Sequence, residues 1–224
     1  MQLDEQEDNL QVLCKRSLTW IFYATRPLET EELIQAVSIN NDSHFFREFK
    51  ERLWDFETIK EACANLIKEE ISGNRVVVRP IHFLVREYFT TMYTASSQSV
   101  LSFTSNESFA YTYLAKCCLR YLMMDLLKYP CSYKNEIYER INRLSLCRHA
   151  SYRFDHYILA TVHVTPKLAD CLDRFLKSKG EVLASTLQLR RLEDGRLPVR
   201  GNFAENLQEE SSKRYNLLNH ALRL

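Results

Sequence analysis

Glycine is scarce in this chain of 224 residues, and the positions of its four glycines exclude a nucleotide-binding loop. A phosphate-binding loop has the pattern G-x-x-x-x-G-K followed by serine or threonine, because its backbone must curl around the phosphates. The glycines stand at positions 73, 180, 195 and 201, so none has that spacing and none precedes lysine. The patterns G-x-S-x-G and H-E-x-x-H are also missing. We therefore expect a protein that is not an enzyme.

Long apolar runs and an excess of one charge are missing as well. Lysine and arginine number 30 against 29 aspartates and glutamates, so the net charge of +1 offers no strong field to nucleic acid or to an anionic membrane. No apolar run approaches the roughly 20 residues of a membrane-spanning helix. The acidic, polar start has no secretory signal pattern. These features predict a cytoplasmic protein without a membrane or nucleic-acid partner.

The seven cysteines are not spaced as in a structural metal site, because no C-x-x-C pair occurs. Four of them fall on the apolar faces of predicted helices, where buried thiols of a reducing compartment are expected: Cys14, Cys63, Cys117 and Cys171. Cys147, His149 and His156 are of metal-binding type but lack the paired spacing. We expect no metal and no other cofactor.

The first half of the chain reads as three helices followed by a hairpin, an order typical of a winged helix. Helices are predicted at 8–24, from the stretch 28–32 to about Val37 and at 56–67, and one short helix within the polar stretch 38–54. Strands are predicted near 67–71 and 75–79, on either side of Ser72, Gly73 and Asn74.

The stretch 75–89 joins a strand to a helix that opens on a histidine. Three consecutive valines favour a strand, and Pro80 closes it. Beyond it, Val85, Tyr88, Phe89 and Met92 recur at helical spacing. His82 thus lies at a helix start, where unpaired N–H groups suit a phosphate. The alternative is that His82 caps its helix or bonds a core carbonyl.

The second half is predicted to be all-helical. A serine- and threonine-rich linker spans 94–106, and a helix with a buried Tyr121 follows from Glu107. Later helices are predicted near 134–146, 149–160 and 167–178, and 188–203 as a solvated loop with four arginines. The predicted fold is mainly α: a winged helix with a small β hairpin at 1–93, a linker at 94–106, an all-helical domain at 107–180, and a loop with a C-terminal amphipathic helix at 181–224.

Three segments carry a family resemblance. The first matches a motif that reads roughly I-H-F-S-V-K-E-Y-L through Ile81, His82, Phe83, Val85, Arg86, Glu87 and Tyr88, while Leu84 replaces a small polar residue. The second fits P-L-x-x-E-E-L through Pro27, Leu28, Glu31, Glu32 and Leu33. The third fits A-x-x-C-L-x-Y-L through Ala115, Cys118, Leu119, Tyr121 and Leu122. Together they resemble the winged-helix and helical arm of fungal NACHT-type, NOD-like signalling NTPases, which usually continue into ankyrin repeats; no ankyrin pattern occurs here.

The resemblance implies a non-catalytic regulatory and interaction module. Its implied partner is a NACHT-type NTPase domain, in cis or in trans, with self-association also open. By resemblance, His82 reaches across to ADP held by that domain and stabilises the closed state. Two alternatives remain: a truncated paralogue without activity, and a winged-helix nucleic-acid-binding protein. The charges of the third helix weaken the last, because Glu57 and Glu61 offset Lys60 and Lys68.

Overall fold

A computed structural model describes residues 2–39, 45–91, 107–178 and 181–193. This part of the chain is mainly helical and contains one antiparallel pair of strands, which confirms the predicted fold class. The elements are α1 (Gln2–Tyr23), α2 (Thr30–Ser38), α3 (Phe46–Lys50), α4 (Phe56–Ala62), β1 (Ile67–Ser72), β2 (Arg75–Pro80), α5 (Leu84–Thr91), α6 (Glu107–Leu122), a 3-10 turn (Asp125–Leu127), α7 (Lys134–Arg143), α8 (Cys147–Leu159), α9 (Pro166–Leu176) and α10 (Glu181–Glu193).

The described residues fall into two compact units. The first unit comprises those within 1–38 and 52–111, and the second those within 39–51 and 112–224. Residues 39–51 therefore group with the second unit, although the sequence placed them in the segment 1–93. The predicted linker 94–106 lies outside the described residues, as does the predicted C-terminal amphipathic helix, which the apolar spacing places at 205–222.

In the first unit the hairpin is built as the sequence predicts. Ser72 stands opposite Arg75, and the turn between them contains Gly73 at φ +61, a conformation that side chains with a Cβ rarely adopt. The other edge of β2 pairs with the segment before α2, because the Val78 amide donates to the Leu28 carbonyl over 2.8 Å. Strand β2 thus lies between two partners and ties the hairpin to the helices.

The core of the first unit is formed by apolar side chains from α1, α2, α4 and β1. Its largest fully buried members are Leu13, Leu18, Trp20, Leu33, Ile59 and Ile67. Helix α4 ends earlier than the predicted residue 67, because Ala64 and Asn65 take φ values of 50 and 57. That left-handed turn stops the helix and directs the chain into β1.

The second unit is built around aromatic side chains. Its largest fully buried members are Phe49, Leu114, Tyr121, Phe154, Tyr157 and Phe175. Helix α3 belongs here because Phe49 packs edge-on against Tyr121, with ring centroids 5.9 Å apart. The amide of Phe46 donates to the Asp125 carboxylate over 2.9 Å. The burial of Tyr121 confirms the sequence-based prediction for that residue.

Helix α10 corrects the prediction of a solvated loop over residues 188–193; the rest of the predicted loop, 194–203, lies outside the described residues. Leu187 and Leu189 are buried, and the buried amide of Gln188 accepts from the Cys131 amide over 2.7 Å and donates to its carbonyl over 2.8 Å. The side-chain amide of Gln188 thus bonds both the N–H and the C=O of Cys131. These buried polar groups keep their hydrogen bonds although water is excluded. The sequence pattern counted Gln188 and the neighbouring arginines as solvent-facing, and so missed the helix.

Arg190 of α10 is expected to stabilise the second unit more than an ordinary surface arginine. Its guanidinium donates to both carboxylate oxygens of Asp155, over 2.8 and 3.3 Å, and to the Tyr152 carbonyl over 3.1 Å. Because this pair is largely buried, Arg190→Ala should lower the free energy of unfolding by about 1.5–3 kcal/mol, as for a hydrogen bond to a charged group. The matched control is Lys177→Ala, whose exposed pair with Asp173 should contribute less than about 1 kcal/mol. Urea titrations followed by circular dichroism would compare them, and equal losses would contradict the expectation.

Candidate functional site

The motif segment around His82 forms the connection between β2 and α5. Helix α5 begins at Leu84, two positions later than predicted, and the His82 side chain lies just before it. The amide of Leu84 donates to the Nδ1 of His82 over 3.2 Å, and the amide of Val85 donates to its carbonyl over 3.1 Å. His82 therefore takes the place of a capping residue at this helix start.

This hydrogen bond fixes where the neutral His82 ring carries its proton. Since Nδ1 accepts from Leu84, the proton of the neutral imidazole resides on Nε2, which can then donate. The ring is exposed and lies against the Phe83 ring, with centroids 4.4 Å apart. Nδ1 caps the helix, whereas Nε2 is the nitrogen that could contact a phosphate. The two roles predicted for His82, helix cap and phosphate ligand, are therefore compatible.

Helix α5 buries one side of the motif and exposes the other. Val85 is buried and Phe89 lies near Phe22 of α1, with ring centroids 6.2 Å apart. The neighbouring side of the helix and the residues just before it carry large apolar side chains in solvent: Phe83 is 74% exposed and Tyr88 is 56% exposed. We call this surface the α5 face and define it by its four exposed apolar residues: Ile81, Phe83, Leu84 and Tyr88.

Helix α5 also carries a cation, Arg86, which lies about 200° around the helix from Leu84 and so on a different side from the α5 face. The Arg86 guanidinium lies 5.5 Å from the centroid of the Tyr23 ring. Burial raises the pKa of Tyr23 and the Arg86 charge opposes that rise, so the tyrosine stays neutral at physiological pH. A guanidinium held over an aromatic ring is a common cation–π arrangement in proteins.

The hairpin and α4, which a DNA-binding winged helix would use, carry balanced charge. Arg75 reaches Glu29 at 3.3 Å, Arg79 reaches Glu70 at 3.4 Å and Lys68 reaches Glu70 at 3.5 Å. On α4, Lys60 lies 3.4 Å from Glu57. The basic side chains of the predicted wing are thus already near carboxylates.

The cysteine and histidine candidates for a metal site are not brought together. His149 is buried and its Nε2 lies 2.8 Å from the Tyr157 hydroxyl, while His156 is exposed. No group of three or more potential metal ligands occurs among the described residues. Burial raises the pKa of the Cys118 and Cys171 thiols, which keeps both protonated and unreactive at neutral pH.

A buried carboxylate in the first unit was missed by sequence reasoning. Glu32 is almost fully buried, accepts from the Arg26 guanidinium over 2.6 and 2.7 Å, and accepts from the Glu29 amide over 2.9 Å. The sequence placed Glu32 only as an acidic residue near a helix start. Its capping role had a signal, since a glutamate in the first helical turn often reaches back to the preceding amide.

The element order of the first unit, three helices and a β hairpin followed by α5, defines a winged helix. Residues 1–101 match the family model described as the winged helix domain of GPI inositol-deacylase, so this part of the chain is similar to that domain. No curated protein and no solved structure matches the chain. In the described residues, no helix is both long and apolar enough to span a bilayer.

His82→Ala is expected to remove the cap of α5 and to lower the free energy of unfolding of the first unit by about 0.5–2 kcal/mol. His82→Asn should retain most of the stability, because an asparagine oxygen also accepts an amide near a helix start. Thermal melts of the three proteins, followed by tryptophan fluorescence, provide the comparison. An alanine variant as stable as the wild type would contradict the capping role.

Proposed function

We propose that this chain is a non-catalytic regulatory and interaction module, whose winged helix packs against a NACHT-type NTPase domain in cis or in trans. The observation that carries this proposal is the α5 face, which coincides with the motif of the resemblance and exposes Phe83 and Tyr88. Isolated exposed apolar residues are common on proteins, whereas four within one stretch of eight residues, two of them aromatic, favour a protein interface.

The position of the α5 face supports docking of a folded partner. Val85 and Phe89 fix one side of α5 against the body of the unit, so the exposed side is presented on a held helix. A surface that is already ordered loses little conformational entropy on binding. Aromatic side chains at the centre of such a surface supply most of the binding energy at typical interfaces.

His82 gives the docking surface a means of sensing nucleotide. Its Nε2 proton is available beside the α5 face while Nδ1 holds the helix start. A donor at this position can bond a phosphate oxygen of ADP held by the partner domain. The winged helix would then bind more tightly in one nucleotide state than in the other, which is the requirement for a conformational switch.

Nucleic-acid binding is the alternative, and the charges of the first unit disfavour it. Phosphate contacts by lysine and arginine dominate affinity for DNA. The basic residues of the hairpin lie near Glu29 and Glu70, which reduces the field that DNA would meet. A gel-shift titration at physiological salt distinguishes NTPase docking from nucleic-acid binding. Retardation of duplex DNA by the chain would favour nucleic-acid binding.

Docking through the α5 face is tested by calorimetry with a purified NACHT-type NTPase domain. We expect the wild-type chain to bind and the Phe83→Ser, Tyr88→Ser double variant to bind at least about 30-fold more weakly, since each truncated interface aromatic loses about 1 kcal/mol or more. Both side chains are exposed, so folding should be unaffected. Val162→Ser is the matched control, because Val162 is 72% exposed but lies in the second unit. Equal binding by all three proteins would refute the α5 face as the docking site.

The chain alone is expected to bind ATP no more tightly than about 10 μM, roughly −7 kcal/mol, and not to hydrolyse it. The reason is the sequence, which contains no phosphate-binding loop. Equilibrium titration with a fluorescent ATP analogue, with a phosphate-release assay beside it, measures both properties. Tight binding or turnover by the pure chain would contradict the non-catalytic assignment.

A further inference from the structure

Strand β1 has an outer edge on which no other strand lies in the described part of the chain. Its inner edge pairs with β2, and β2 in turn pairs with the segment before α2, where Glu29 stands opposite Val77. The sheet is therefore closed on the side of β2 and ends at β1 on the other side. The exposed edge of a sheet is a template for one further strand.

The hydrogen bonds of β2 show which residues of β1 present their backbone at the outer edge. Val78 stands opposite Glu69 but donates its amide away from β1, to the Leu28 carbonyl over 2.8 Å. Hydrogen-bonded and non-hydrogen-bonded residue pairs alternate along an antiparallel ladder. Glu69 and the residues two positions away, Ile67 and Ile71, therefore direct their N–H and C=O groups outward. These are the groups that an added strand would bond.

The tip of the hairpin carries an apolar pair beside this edge. Ile71 is 80% exposed, the largest fraction among the large apolar side chains that the structure describes. Val76 stands opposite Ile71 and is 45% exposed. At the other end of β1, Ile67 is buried in the core. An extended segment paired with β1 would cover the apolar tip and use the outward backbone groups together.

The charged side chains of β1 restrict which strand can be added. Charges on an edge strand normally prevent pairing with other chains. Lys68 and Glu70 lie on the same face of β1, with the lysine Nζ 3.5 Å from the carboxylate, and both side chains are nearly half exposed. A suitable partner must offer a carboxylate opposite Lys68 and a cation opposite Glu70, because like charges directly opposite each other are destabilising.

A second copy of β1 meets this requirement when it runs antiparallel and is centred on Glu69. Lys68 of each copy then stands opposite Glu70 of the other, and Ile71 of each stands opposite Ile67 of the other. The outward backbone groups also face each other in this register. Its cost is one pair of like charges at the centre, where Glu69 faces its counterpart. Moving the centre by one residue would place Lys68 or Glu70 opposite itself and lose both complementary pairs.

We propose that this chain self-associates by pairing the outer edges of β1 from two copies, in an antiparallel register centred on Glu69. The two hairpins then form one continuous sheet in the order β2, β1, β1, β2. This interface lies on the hairpin and not on the α5 face, and it does not rest on the proposed docking to an NTPase domain. Because the contact is confined to one short strand from each copy, it belongs with weak, reversible interfaces.

Sedimentation equilibrium of the full chain over a series of concentrations measures this association. The wild type should dimerise reversibly, and Lys68→Glu and Glu70→Lys should each weaken the dimer at least about tenfold, because each makes two attractive pairs repulsive. An equimolar mixture of the two variants should associate about as tightly as the wild type, since the facing residues at these positions are then opposite in charge. Lys60→Glu reverses a charge in another surface ion pair of the same unit, on α4, and should dimerise as the wild type.

The mixture separates lost pairing from lost folding. Thermal melts of the single variants should stay close to the wild type, because exposed ion pairs contribute little to stability. Recovery of association on mixing would then report contacts between copies and not within one copy. A wild type that stays monomeric at every concentration, a dimer that both charge variants leave unchanged, or a mixture that does not recover would each overturn the proposal.

Discussion

Replacing Glu32 by alanine is expected to lower the free energy of unfolding of the first unit by about 3 kcal/mol. The carboxylate is 4% exposed and forms a two-pronged ion pair with Arg26. It also accepts the Glu29 amide at the start of α2. Removing one member of a buried pair leaves the other charge without its partner, which typically costs about 3–5 kcal/mol. We expect the lower end of this energy range, because the Arg26 side chain is 30% exposed and its charge can be solvated by water once Glu32 is removed.

The chain contains a spectroscopic probe for this effect. Its two tryptophans, Trp20 and Trp54, both belong to the first unit. Urea denaturation followed by tryptophan fluorescence therefore reports on that unit without a tryptophan signal from the second. Glu31→Ala is the control, because Glu31 lies on the same helix turn but is exposed. Equal midpoints for the two variants would show that the Glu32 ion pair does not stabilise the fold.

Tyr121→Ala is expected to destabilise the second unit by about 3–5 kcal/mol, the usual loss for truncating a fully buried aromatic residue. Tyr121 has no exposed surface and packs edge-on against Phe49 of α3. The substitution leaves a cavity at the contact that holds α3 to this unit. Far-ultraviolet circular dichroism during urea denaturation measures the loss.

The control for Tyr121 is Tyr138→Ala, which removes the same side chain from an exposed position on α7. Its effect should be within about 0.5 kcal/mol of zero. The fluorescence transition of the first unit serves as an internal reference, because no tryptophan lies in the second unit. A Tyr121 variant that unfolds at the wild-type midpoint would contradict the assignment of this ring to the core.

Sequence patterns identify the winged helix because its signals are local. The triple valine, the proline and the glycine turn each specify their own backbone conformation, and β1 and β2 follow them closely. The burial of Tyr121 could be predicted because the apolar stripe of α6 is continuous. Helix α10 could not be predicted in full, since Gln188 is buried through hydrogen bonds to Cys131, a residue distant in sequence.

The candidate site was predictable in position but not in geometry. The motif pointed to His82, whereas the use of Nδ1 as the cap of α5 follows only from the folded backbone. Helical spacing alone could not tell which side of α5 faces solvent, because Val85 and Tyr88 are both apolar.

The central claim is that the winged helix senses the nucleotide state of an NTPase domain. The ratio of the chain's affinities for the ADP-bound and ATP-bound forms of that domain tests this claim most directly. Calorimetry would measure the affinity of the chain for a NACHT-type NTPase domain loaded with ADP and for the same domain loaded with a non-hydrolysable ATP analogue. A regulatory coupling of about 1–3 kcal/mol predicts binding roughly 5- to 150-fold tighter to the ADP form. The substitution His82→Asn keeps an acceptor for the helix cap but has a shorter side chain, which cannot reach the ADP phosphate. It should therefore bring the affinity ratio close to one. Equal affinities of the wild-type chain for both forms would contradict the account, because a partner that binds two states equally shifts neither.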